Sequence, residues 1–286
     1  MKTTDAAVWI HLGQSNAVGH SLVMRKEDHL SGLSHVFGLS REKNQSFSAE
    51  KLTWEPYSSA GMNLGETQDH VYSVPSCLAS LWQQAKEAGE DLPDLYIVQI
   101  AIGAQGVTEK FMWYPWKERR LIPGPLGTAD IALYPFTLHV LSLLDDSFRT
   151  MNKRYEILGI DWRGGEEDPI VGRETLENTL HGIYETMLNG FFEALGQRVP
   201  VALHRIVSEK AARLPGEKEG IRFVNREFER LSREIPEVSF VSESDAPWYD
   251  PEDPLDGLFE ADGVHYTERV NRWAAGRVLE AYRNNR

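Results

Sequence analysis

The sequence is almost without cysteine: Cys77 stands alone among 286 residues. One thiol cannot close an intramolecular disulfide or supply the thiolate cluster of a structural zinc site. Its setting, "YSVPSCLASLW", is an expected helix start, where a cysteine reads as a small packed side chain rather than a nucleophile. Long apolar runs are also missing, and none approaches the roughly 20 residues of a membrane span. The apolar run at residues 6–13 is too short for a signal-peptide core and is needed as a strand. No secretion signal is read, and a cytoplasmic location is expected. Positive charge is scarce as well: 30 Lys and Arg face 43 Asp and Glu, for a net charge of −13. That balance repels nucleic acid and anionic membrane as main partners and identifies no particular ligand.

What remains is an ordinary globular composition, 41% hydrophobic and 26% charged, able to bury a sizeable core. Five apolar runs have strand length: 6–13, "DLYIVQIAIG" (94–103), "YEILGIDW" (155–162), "VPVALHRIV" (199–207) and "EVSFVSES" (237–244). Most are near-continuous in hydrophobicity, the pattern of strands covered on both faces. Helical periodicity fills 74–89, 135–152, 172–196, 220–235 and 267–285. The alternation predicts one α/β domain over residues 1–286, a three-layer α/β/α sandwich around a mainly five-stranded parallel sheet. Residues 22–72 and 104–134 read as long loops after the carboxyl ends of strands, the edge where open α/β sheets hold ligands.

At the end of the first run stands "GQSN", Gly13 to Asn16. Ser15 there fits a helix cap as well as it fits a nucleophile. The stretch is neither the G-x-S-x-G elbow nor a phosphate loop, since it lacks the second Gly and any following Lys-Ser or Lys-Thr. Near the other end, "DGVH" sets Asp262 three residues before His265. A turn of that length can bring a carboxylate beside an imidazole and stabilise the cation formed when it accepts a proton. "DPEDPLDG" (250–257) suggests calcium, but its spacing and two prolines break the EF-hand pattern, and no metal is expected.

Together "GQSN" and "DGVH" resemble the nucleophile and D-G-x-H blocks of the SGNH hydrolases, specifically the carbohydrate-esterase branch of sialate O-acetylesterase-like and acetylxylan esterase-like proteins. The resemblance implies a flavodoxin-like α/β/α fold and a serine esterase that deacetylates a carbohydrate through an acyl-enzyme, with a small-molecule or oligosaccharide ester as substrate and no cofactor. It implies Ser15 as nucleophile, His265 as general base and acid, and Asp262 as the carboxylate that orients His265. The oxyanion donors it implies are the amides of Ser15 and Gly103, with Gly106 as the alternative to Gly103. Gln14, Asn16 and Glu166 are expected to scaffold the site or meet substrate. Where the family shows Trp-x-Gln-Gly-Glu-x-Asp, this chain has Trp162-Arg163-Gly164-Gly165-Glu166-Glu167-Asp168, so Gly164 stands in place of the Gln amide. Arg163, Gln105 or Asn63 are the residues expected to replace that donor. "FMWYPW" (111–116), Trp54, Trp248 and Tyr249 offer sugar-stacking faces or a core that pins loops. A lipase, thioesterase or arylesterase on the same scaffold, or a non-catalytic carbohydrate-binding relative, are the alternative functions.

Overall fold

The structure is a computed structural model that describes residues 4–44, 49–116, 121–124, 127–130, 132–207, 216–250 and 257–284. Its elements, in chain order, are β1 (Ala6–Gly13), α1 (Ser15–Val18), β2 (Val36–Leu39), α2 (Arg41–Asn44), β3 (Trp54–Pro56), α3 (Val74–Glu87) and β4 (Asp94–Ala101). A two-stranded ribbon of β5 (Leu121–Gly124) and β6 (Gly127–Asp130) precedes α4 (Leu133–Ser142) and α5 (Leu144–Thr150). Then come β7 (Tyr155–Arg163), α6 (Arg173–Leu195), β8 (Val201–His204), α7 (Glu217–Glu234), β9 (Val238–Val241) and α8 (Glu268–Asn284).

The main sheet has seven strands rather than five, in the order β3-β2-β4-β1-β7-β8-β9. The five apolar runs are β1, β4, β7, β8 and β9. The two additional strands lie inside 22–72, which sequence alone reads as loop. Their brevity explains the difference: β2 is four residues interrupted by Gly38, and β3 is three residues ending in Pro56. β3 pairs antiparallel at the sheet edge, a position that tolerates a proline without an N–H to donate. All other pairings of this sheet are parallel.

Every residue of β1 is buried, as expected for the central strand of a doubly covered sheet. Val8, Ile10 and Leu12 face a core built with α4, α6 and α7, including Leu180, Ile183 and Phe228. Ala7 and Trp9 face α3 and α8 through Leu78, Trp82, Ala275 and Leu279. Burying each such Leu or Ile side chain contributes about 1.5–3 kcal/mol. Because β4 and β7 flank β1 on opposite sides, the chain reverses its winding direction at the carboxyl end of β1, where such sheets open a crevice. Cys77 is buried within α3, and burial pushes its thiol up to about 12, in keeping with a packed side chain. Among the described residues, no helix is long and apolar enough to cross a membrane.

Candidate active site

Gly13 ends β1 and aims the chain into the crevice. Its φ is +142°, and a Cβ there would lie 1.9 Å from the Arg163 carbonyl oxygen, so only glycine fits. The Gln14 N–H donates to that same carbonyl at 2.8 Å. α1 then begins at Ser15, with Gln14 in the cap position and no side-chain cap bond. Ser15 is therefore the first residue of the helix rather than its cap. Its amide is one of those that a helix's first turn leaves without an internal acceptor.

Ser15 and His265 line one cavity of about 510 Å3, together with Gln14, His20, Glu66, Gly103, Glu166 and Asp262. His265 Nδ1 is 2.6 Å from Asp262 Oδ2, which leaves Nε2 as the nitrogen available to a substrate or nucleophile. Asp262 Oδ1 accepts the amides of Val264 (2.8 Å) and His265 (3.0 Å). Desolvation would raise the Asp262 carboxyl, but these amides and the imidazole outweigh it and hold it below its usual value. Ser15 Oγ makes no hydrogen bond to His265 among the described residues, and such bonds are often loose before a substrate arrives.

Asn16 explains how residues 250 positions apart come into register. Its Oδ1 accepts the Tyr266 amide at 3.1 Å, and its Nδ2 reaches the Val264 carbonyl at 3.4 Å, so one side chain grips the backbone on both sides of His265. Nδ2 also donates to Glu166 Oε1 at 3.0 Å. Burial pushes the Glu166 carboxyl above its ordinary value, with the Asn16 bond opposing. Gln14 Oε1 accepts the Gly165 amide at 3.4 Å. Gln14, Asn16 and Glu166 thus sit where a scaffold for the site is needed.

The structure assigns other duties to the three residues expected to replace the missing amide. Arg163 is buried, with Nε on Asp161 (3.0 Å) and Nη1 on Glu243 (2.7 Å), pointing away from the cavity into a charged layer. Asn63 spends its side chain on both backbone groups of Ala101, each at 3.0 Å. Gln105 Oε1 accepts the Met112 amide at 3.1 Å. Gly103 does reach the cavity, but its N–H donates to Glu66 Oε2 at 2.8 Å. Gly106 is a glycine for close approach: a Cβ there would lie 2.2 Å from Asp168 Oδ1. Asp168 pins this loop through the amides of Val107 (2.7 Å) and Thr108 (3.3 Å), and burial pushes its carboxyl up to about 7.

The aromatic segment divides its roles. Phe111 and Trp113 are buried, and Trp113 packs edge-on against Trp162 with ring centroids 4.9 Å apart, so both pin the loop. Trp116 is 59% exposed. Trp54 is tied to Ser147 at 2.9 Å, and Trp248 lies against Arg269 and Trp273. The acidic stretch at 251–256 lies outside the described residues.

Sequence reasoning passed over a buried layer beneath the cavity. His204 bridges Asp161 Oδ1 and Glu243 Oε1, both at 2.7 Å; Arg163 joins the same two acids; His11 Nδ1 is 2.7 Å from Asp161 Oδ2; and Tyr266 donates to Glu243 at 3.2 Å. Burial pushes all these groups toward neutrality. The His204 and Arg163 charges nonetheless hold Asp161 well below its usual value and Glu243 at about 2. His204 is raised by the two carboxylates, against burial and Arg163, while burial lowers His11. The visible signal was polar residues at 11, 161, 163 and 204 inside otherwise apolar strands.

Comparison with solved structures gives several matches over nearly the whole chain. NanS matches at 14% identity with a TM-score of 0.62, covering 99% of this chain and 100% of that one. A protein from Arabidopsis thaliana matches at 14% identity with a TM-score of 0.59, covering 99% of both. The chain shares the overall fold of these two structures. An M. smegmatis aryl esterase also matches, at 12% identity and a TM-score of 0.46, covering 97% of this chain and 98% of that one. No family model matches the sequence, and comparison with curated proteins returns no match.

Proposed function

We propose that this chain is a serine ester hydrolase that removes acetyl groups from a carbohydrate. The observation that carries the reading is Ser15 at the mouth of the β1–α1 turn, in one cavity with the His265–Asp262 pair. A serine hydroxyl is a weak nucleophile and needs a base and an oxyanion donor. Ser15 Oγ attacks the ester carbonyl carbon while its proton passes to His265 Nε2. Asp262, at 2.6 Å from Nδ1, stabilises the imidazolium. The oxygen of the tetrahedral intermediate takes the Ser15 amide as donor. His265 then gives its proton to the departing sugar oxygen, leaving an acetyl-serine. Water enters and gives a proton to His265 as its oxygen bonds to the acyl carbon; the second tetrahedral intermediate then breaks its bond to Ser15 Oγ, His265 returns the proton to Oγ, and acetate leaves.

Acetyl and carbohydrate as the substrate rest on the resemblance of "GQSN" and "DGVH" to the carbohydrate-esterase branch, with support from a cavity rich in polar side chains. The test compares wild type and Ser15→Ala on acetylated xylan, acetylated sialic acid, 4-nitrophenyl acetate and longer nitrophenyl esters. Turnover lost in the variant and strongest for acetylated sugars is expected. Equal turnover in both proteins would overturn the esterase reading, and a preference for longer acyl chains would overturn the substrate.

A further inference from the structure

The cavity holds a second histidine–carboxylate pair opposite the first. His20 Nε2 lies 2.7 Å from Glu66 Oε1, and the His20 ring sits 5.7 Å from that of His265, centroid to centroid. The other Glu66 oxygen accepts the Gly103 amide at 2.8 Å. Gly103 lacks the side chain that would forbid this arrangement, since a Cβ there would meet His20 Cε1 at 2.5 Å.

The backbone is built to deliver Glu66 to this point. Leu64 N–H donates to the Gln99 carbonyl at 2.9 Å, and Asn63 brackets Ala101, so residues 63–66 run beside the end of β4. Gly65 permits the approach, because a Cβ would lie 2.4 Å from the Ala101 carbonyl oxygen. Arg41 Nη1 fixes the Glu66 carbonyl at 2.8 Å. The Glu66 side chain, by contrast, is 21% exposed and hangs from that anchor into the cavity.

A carboxylate oxygen on a backbone amide has the charge and hydrogen-bond demand of the oxyanion formed in acyl transfer. The Gly103 amide lies in the same cavity as Ser15 and is already filled by such an oxygen. We infer that Glu66, steadied by His20, is an internal competitor for the Gly103 amide, and that a reacting ester gains this second donor only when Glu66 swings away. The inference rests on the esterase reading above. It makes Glu66 and His20 positioning residues that restrain the resting site.

The test uses the full chain as wild type, Glu66→Ala, Glu66→Gln and Ser15→Ala. Two readouts are taken: kcat/KM on 4-nitrophenyl acetate, and the affinity of phenylboronic acid, which forms a tetrahedral anionic adduct on a reactive serine. Glu66→Ala is expected to raise kcat/KM and tighten boronate binding by about tenfold each, the worth of one oxyanion hydrogen bond partly regained. Glu66→Gln, which keeps the shape without the charge, is expected to fall between wild type and Glu66→Ala. It carries the test alone if the alanine variant does not fold. Turnover by wild type with equal or lower values in the folded Glu66 variants would overturn the inference while leaving the esterase reading in place. Absence of turnover and of Ser15-dependent boronate binding in every protein would overturn both.

Discussion

Replacing Asn16 by alanine should cost the site its register as well as part of the protein's stability. The substitution removes the bonds to Glu166 Oε1, to the Val264 carbonyl and from the Tyr266 amide, at 3.0, 3.4 and 3.1 Å. A made hydrogen bond contributes about 0.5–1.5 kcal/mol, and a buried group left without a partner costs about 1–3 kcal/mol. The Tyr266 amide and the Glu166 carboxyl are the groups stranded, and the 3.4 Å bond adds little, so the loss should total about 3 kcal/mol. For a chain of this size each kcal/mol lowers the melting temperature by about 2–4 °C, which puts the expected fall near 6–12 °C. The rate should suffer more. Asn16 holds both neighbours of His265, and a displacement of about 1 Å at a reacting group costs about 10²-fold. Thermal melts and nitrophenyl acetate turnover on the folded variant measure the two effects. Asn16→Asp sharpens the contrast by setting a second carboxylate against Glu166; it should fall below the alanine variant at neutral pH and recover on acidification. A destabilised alanine variant with turnover near that of wild type would refute the registering role.

Two further predictions concern buried ionisable groups. The carboxylates raise His204 above its ordinary 6.5, so its charge stabilises the fold fully below that value and less as pH rises through the folded value. The urea-midpoint gap between wild type and His204→Gln should therefore be widest below about pH 6.5 and shrink as pH rises above it; a pH-independent gap would count against it. Asp168, pushed up from 3.8 to about 7, keeps its proton in the fold where the unfolded chain has lost it. Wild type should lose stability relative to Asp168→Asn as pH climbs between those values, and melts across the window would show a constant difference if the carboxyl titrated normally.

Much of the architecture was legible because hydrophobic burial writes itself as a run or a period. β1, β4 and β7 are such runs, and α6 lies within a residue of its predicted ends. β2 and β3 escaped because four and three residues carry no period. Ser15, Asp262 and His265 could be picked out as two short blocks, yet their meeting depends on Asn16, whose partners lie at the far end of the chain. Arg163 was misplaced for a different reason. Proximity in sequence to a site loop says nothing about which face of β7 a side chain leaves, and alternation puts Arg163 with Asp161 in the buried charged layer. The occupancy of the Gly103 amide is a tertiary fact, set by a glutamate 37 residues earlier.

The grip of Asn16 on residues 264 and 266 also bears on how the molecule acquires activity during folding. Contacts between segments so remote in sequence form late, since a long loop must close before they give any return. A growing chain can assemble β1 and α1 early, with Ser15 in place, while His265, its proposed base, has yet to be synthesised. On this reasoning turnover should lag the first recovery of helical signal in refolding, and its appearance would time the docking of the final helix.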